Sequence, residues 1–239
     1  MTDLVVHPAG APLVGSVPVP GDDAIASRAL LLAALCNGKS RLRDAPARAG
    51  SASMRAALLA MGVEIEERAG ETIVTGAGLF GLREPSRALD CGASETTLRL
   101  LCGVLAGQTF ASTLSGAATR PTTDLLAPLR ARGARVDVHA APIHFDALGE
   151  DEHLAALECD LPASDSRALA SATKGALLLS GLYAHGTTAL REPMLTPDHA
   201  ERLLLALGVP LRTLATVVEL DAAGWSGSMP AFDARVPGD

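Results

Sequence analysis

The stretch Pro20-Gly21-Asp22-Asp23-Ala24-Ile25-Ala26-Ser27-Arg28-Ala29-Leu30-Leu31-Leu32-Ala33-Ala34-Leu35-Cys36 decides how this chain folds. A Pro-Gly turn, a few small and polar residues, and an apolar run closed by Asn37-Gly38 read as a loop feeding a helix. The run has no polar face, so the helix has to be buried all round. It is too short for a bilayer, which takes about 20 apolar residues. A helix at the centre of a domain meets both conditions. Its N-terminus offers free N–H groups and the positive end of the helix dipole, which is where a bound anion is expected.

The same phrase recurs along the chain. Nearly all-apolar helices that stop at glycine are expected from Arg28 to Gly38, Leu98 to Gly107 and Ala176 to Gly186. Each leads into a β-like segment, at 40–43, 109–114 and 187–191. An amphipathic helix follows each time: Ser53 to Met61 before Gly62, Thr123 to Arg132 before Gly133, and Pro197 to Leu207 before Gly208. Glycine just past a helix is the expected left-handed cap. Strands then follow at 63–66, 134–138 and 209–212. The period, roughly 70 to 80 residues, exceeds that of solenoid repeats. Three such α/β units should close around a shared core, with the apolar helices together inside and the sheets outside.

Residues 1–19 fit no repeat, and Leu4-Val5-Val6 and 13–17 read as two short strands. Val236-Pro237-Gly238-Asp239 echoes Val19-Pro20-Gly21-Asp22.

Composition narrows the function. The net charge of −7 leaves no basic stripe for nucleic acid, and only 3% of residues are aromatic, too few for base stacking. Cys36, Cys91, Cys102 and Cys159 have no metal-ligand spacing and read as buried free thiols. No basic and apolar leader opens the sequence, so a cytosolic location without membrane contact is expected.

Several motifs, in order, resemble the enolpyruvyl transferases, and among them the EPSP synthase family. They are Pro20-Gly21-Asp22, Ser27-Arg28-Ala29-Leu30, Leu89-Asp90-Cys91-Gly92, 96–101, Arg120-Pro121, 174–182 and 198–202. The resemblance implies a two-lobed protein, each lobe an inside-out, barrel-like α/β assembly of three βαβαββ repeats around buried apolar helices. It implies transfer of enolpyruvyl from phosphoenolpyruvate to shikimate 3-phosphate, with no cofactor and no metal. Members are about twice this length. The chain therefore divides into 1–19, strands of the other lobe; 20–235, one complete lobe; and 236–239, the start of the crossover. A half-site needing a second lobe or second chain, inactive alone, is the expectation.

The implied substrate-side residues are Arg28, Ser171 and Thr196, with Arg120 toward phosphoenolpyruvate. Asp23 and Ala24 stand where the family has lysine and serine, Ala93 and Glu95 where it has asparagine and glycine, and Ala172 where it has glutamine. A carboxylate in place of a cation near an anion reverses an interaction of about 4 kcal/mol at ~4 Å and an effective dielectric of ~20. The plain alternative is that Asp22 or Asp23 caps the buried helix. The family triplet aligns to Ala170-Ser171-Ala172 if anchored on Lys174, or near Asp165-Ser166-Arg167 if anchored on Leu161-Pro162. Two other readings stay open: a divergent enzyme performing an elimination on a shikimate-like acid with Asp23 or Glu95 as acid or base, and a non-catalytic binding module. Gly76-Ala77-Gly78-Leu79-Phe80-Gly81 matches a dinucleotide fingerprint in letters only, because Arg83-Glu84-Pro85 prevents the helix it needs. His139, His144 and His153 have no companion ligands.

Overall fold

The computed structural model describes residues 4–5, 10, 12, 14–17, 19–46, 49–116, 122–137 and 142–238. Among the described residues six helices follow in chain order: α1 (Asp23–Leu35), α2 (Ala49–Ala60), α3 (Glu95–Leu105), α4 (Thr123–Ala131), α5 (Arg167–Gly181) and α6 (His199–Ala206). The strands are β1 (Asn37–Arg43), β2 (Glu64–Arg68), β3 (Glu71–Ala77), β4 (Leu89–Asp90), β5 (Ser112–Ser115), β6 (Ile143–Phe145), β7 (Leu154–Asp160), β8 (Ala184–Arg191), β9 (Leu211–Leu214), β10 (Val217–Asp221) and β11 (Asp233–Arg235).

The three apolar helices form the interior. Every residue from Ala26 to Leu35 in α1 is buried, as are Thr97–Leu105 in α3 and Ser171–Gly181 in α5. Each buried leucine contributes roughly 1.5–3 kcal/mol, which is why these runs take the centre. In α4 and α6 only one face is buried: Leu125, Leu126 and Leu129, and Ala200, Glu201 and Leu204. The helices start earlier than the apolar runs suggest, because Asp22, Ser94 and Ser166 cap them several residues upstream.

Among the described residues three sheets surround this interior, with strand orders β11-β1-β3-β2, β4-β5-β6 and β7-β8-β10-β9. They remain separate sheets. Each opens with a parallel pair and continues antiparallel: β11 beside β1, β4 beside β5, β7 beside β8. The first and third units are therefore βαβαββ, the first with one permutation, and in the second a single bridge at Val136 stands in for one strand. The first strand of the first unit comes from the far end of the chain, since Arg41 pairs with Asp233 and Arg43 with Arg235. The segment that echoes residues 19–22 also lands beside them: Gly21 bridges Gly238, and the Asp22 N–H donates to the Pro237 carbonyl at 2.8 Å.

Two expectations are corrected. The described residues of 1–19 are in no strand, and Leu4, Val14 and Val17 are exposed, because among the described residues no sheet edge takes them. The strand expected at 134–138 is, among described residues, a single bridge from Val136 to Phe145. After β3 the Gly76–Gly81 segment turns without forming a helix.

Candidate substrate site at the helix N-termini

The N-terminal turns of α1, α3 and α5 lie at one end of the lobe, joined by side chains that cross between them. Asp22 accepts the Ile25 N–H, Ser94 the Thr97 N–H and Ser166 the Leu169 N–H. Three helix N-termini at one end concentrate partial positive charge there.

Arg28 and Ser171, far apart in sequence, meet at this end, and the loop carrying Thr196 reaches Ser171 through the Pro197 carbonyl. Arg28 Nη2 donates to Ser171 Oγ at 3.3 Å and Nη1 to the Ala24 carbonyl at 3.0 Å. Ser171 Oγ donates to the Pro197 carbonyl at 2.8 Å. Thr196 donates both its N–H, at 3.1 Å, and its hydroxyl to Glu192 Oε2. Arg28 is only 3% exposed, and burial lowers its pKa against the opposing pull of Asp22 and Glu201. Its Nε has no hydrogen-bond partner among the described residues. Ala172, in this register, is fully buried in the core, while Asp165, Ser166 and Arg167 straddle the helix cap. Arg120 lies outside the described residues, as does His139.

Asp22 and Asp23 divide their work. Asp22 caps α1, but Asp23 reaches across to α2, where its carboxylate accepts the Gly50 N–H at 3.0 Å and the Ser51 N–H at 2.9 Å. Both oxygens thus face the positive end of another helix, a poor arrangement for a general base. Ala24 is half-buried beside it. In the second unit the cap is Ser94; Ala93 is exposed before it, and half-buried Glu95 opens α3, where a carboxylate favours the helix dipole. Thr97 Oγ1 donates to the Gly50 carbonyl at 3.0 Å and ties this turn to α2.

Between α3 and α5 an open cavity of about 490 Å³ is lined by Arg99, Asp124, Leu161, Pro162, Asp165 and Thr173. Arg99, 1% exposed, pairs with both Asp124 oxygens at 2.9 and 3.0 Å and with Thr173 Oγ1 at 2.9 Å. Sequence reasoning passed over this pair, and also Lys174 with Glu192 and Glu201, because a charge inside an apolar run has no local signal that says what it pairs with. His144 bonds Thr113 and Asp146, and His153 stacks on His185 with ring centroids 3.8 Å apart. Among the described residues no group of three metal-ligating side chains converges, and no helix is long and apolar enough to cross a membrane.

Residues 8–239 match the family model described as EPSP synthase (3-phosphoshikimate 1-carboxyvinyltransferase). The 3-phosphoshikimate 1-carboxyvinyltransferase of Acidithiobacillus ferrooxidans is 42% identical over 217 residues, covering 88% of this chain and 48% of the relative. That of Bacillus licheniformis is 36% identical over 230 residues, covering 95% and 52%. The EPSP synthase structure from Acinetobacter baumannii superposes with a TM-score of 0.84 at 31% identity, over 94% of this chain and 50% of that one. The enolpyruvyl transferase NikO from Streptomyces tendae shares the fold, at a TM-score of 0.68 and 19% identity. The chain spans about half the length of the curated relatives it matches. With its three-unit fold and motif order, the chain belongs to the EPSP synthase family.

Proposed function

We propose that residues 20–235 form the shikimate 3-phosphate-binding lobe of an EPSP synthase-type enolpyruvyl transferase. In this reading residues 1–19 belong to a second lobe, 236–239 begin the crossover to it, and the lobe is inactive without that partner. The observation that carries it is the Arg28–Ser171 contact at the helix N-termini, with the Pro197 carbonyl, next to Thr196, bonded to Ser171. An anion arriving there meets a buried guanidinium and the N-terminal turns of helices.

The phosphoenolpyruvate side is weakened. The family's lysine position holds Asp23, whose carboxylate already occupies the α2 N–H groups that an anion would use. Glu95 adds a second negative charge at the start of α3. Transfer chemistry relies on holding both partners in line and on charge clamps around the developing charge, and half a cleft supplies neither. No cofactor or metal enters this reading.

Titration calorimetry of the chain with shikimate 3-phosphate, then with phosphoenolpyruvate, tests it. Saturable binding of the first ligand, lost in Arg28→Ala, and no heat with the second are expected. Release of inorganic phosphate from the two metabolites at an enzymatic rate by the chain alone would overturn it.

A further inference from the structure

One buried cation holds both ends of the loop that carries Thr196. Lys174 sits on α5 three residues beyond Ser171, close to one helical turn. Its ammonium donates to Glu192 Oε1 at 2.8 Å and also pairs with Glu201 Oε1, and all three side chains are between 1% and 4% exposed. Glu192 directly follows β8, where the loop begins. Glu201 lies in the first turn of α6, where the loop has ended. The second oxygen of Glu192 faces the loop itself and accepts both the N–H and the hydroxyl of Thr196.

Little else anchors this segment. Pro193, Met194 and Leu195 are exposed, Met194 and Leu195 by 54% and 59%, so the loop has little apolar burial to hold it. At the surface Arg167 Nη2 adds a bond to the Leu195 carbonyl at 3.0 Å, and Ser171 Oγ reaches Pro197. An exposed ion pair contributes little to holding a loop, whereas separating a buried one strands charge in a low dielectric. Lifting the loop would pull Glu192 from Lys174 and leave the ammonium facing Glu201 alone, so loop and core move together. Arg28, also buried, is drawn by Glu201 and Asp22, and Glu201 Oε2 has no hydrogen-bond partner among the described residues.

We propose that Lys174 is a positioning residue: through Glu192 and Glu201 it sets the 192–198 loop so that Thr196 and the Pro197 carbonyl stand beside Ser171 and Arg28. The inference rests on the reading of that place as the shikimate 3-phosphate site, but its geometry can be measured without the ligand.

The test compares the wild-type chain with the triple variant Lys174→Met/Glu192→Gln/Glu201→Gln, which removes the three charges of the clamp together and leaves Arg28 with Asp22 as its counter-charge. Leu58→Ala, a core cavity in the first unit remote from the loop, controls for a general loss of stability. Hydrogen exchange is read at the Thr196 amide relative to the Leu31 amide in α1, and shikimate 3-phosphate affinity is read by calorimetry. In the triple variant the Thr196 amide should exchange at least about tenfold faster relative to Leu31, a local opening, and affinity should fall by roughly tenfold or more. The Leu58→Ala variant should leave the Thr196-to-Leu31 ratio unchanged. An unchanged ratio in the triple variant, or one matched by Leu58→Ala, overturns the clamp. Absence of binding by the wild-type chain overturns the site reading instead, while the exchange ratio still decides the clamp. If the triple variant does not fold, Glu192→Gln alone carries the same comparison.

Discussion

Asp23 is the residue where sequence and structure say most to each other. As a letter in a family motif it is a reversed charge; in the fold it is a carboxylate bonded to the Gly50 and Ser51 N–H groups at the start of α2. Its structural work is that of an N-cap supplied by another helix, and losing such a cap costs about 0.5–2 kcal/mol. Asp23→Ala is therefore expected to lower the unfolding free energy by about 1 kcal/mol in urea titrations, with Asp23→Asn losing less. Restoring a lysine there would set a cation against the α2 dipole, so activity toward phosphoenolpyruvate would not follow from that change alone. The capping role was legible in part: Asp22 and Asp23 both stood as candidates, and which helix each served depended on a neighbour 27 residues away. Arg28, Ser171 and Thr196 were legible only through the motifs. Nothing local in the sequence indicates that Arg28 would be 3% exposed, or that Thr196 would hand both its donors to Glu192.

Among the elements, the contact of α3 with α5 shows how closely the central helices approach. A Cβ added to Gly103 would sit 2.2 Å from the Ala176 carbonyl oxygen, a backbone atom with little room to move. Gly103→Ala should therefore destabilise the chain by about 1–3 kcal/mol despite alanine's better helix propensity. Denaturant unfolding measures it, and a gain in stability would contradict this packing. The apolar runs made these helices visible in advance, but their starts were placed late. The first turns carry the polar residues that face the site, so hydrophobicity alone misses them. The strand expected at 134–138 reduced to one described bridge, because pairing depends on the partner strand as much as on alternation.

At the scale of the whole molecule, the shared core sets the response to pH. Burial pushes the thiols of Cys36 and Cys91 up to about 12, from an ordinary value of 9.0, with Asp90 adding to the effect at Cys91. A group whose pKa is raised by folding gives stability that is intact below its unfolded value and lost as the pH climbs toward the folded one. Between pH 9 and 10 the chain should lose about 1 kcal/mol for each of these two thiols, read as a fall in the urea midpoint, with little alkylation of them in the folded protein at pH 7; Cys159, expected to be buried, is only half-buried and is the thiol open to reagent. Arg132 works in the opposite sense at higher pH: burial lowers it to about 10, so its cost is relieved only above that point. Its guanidinium donates to the Ala155 carbonyl, Ser180 and Thr188, joining the second unit to the third.

The sequence by itself determined the three-unit architecture. Helices apolar all round have no stable place except the centre, and their recurrence with glycine stops and amphipathic partners leaves few ways to close. The tertiary structure alone decided how the ends are used and how the site is wired. The strand that completes the first unit arrives from residues 233–235, and one lysine in an apolar run pairs with carboxylates 18 and 27 residues away. Burial free energy is a sum over residue types, which a sequence displays directly. A hydrogen bond or ion pair depends on which atoms lie within about 3 Å of each other, and only the folded chain sets those distances.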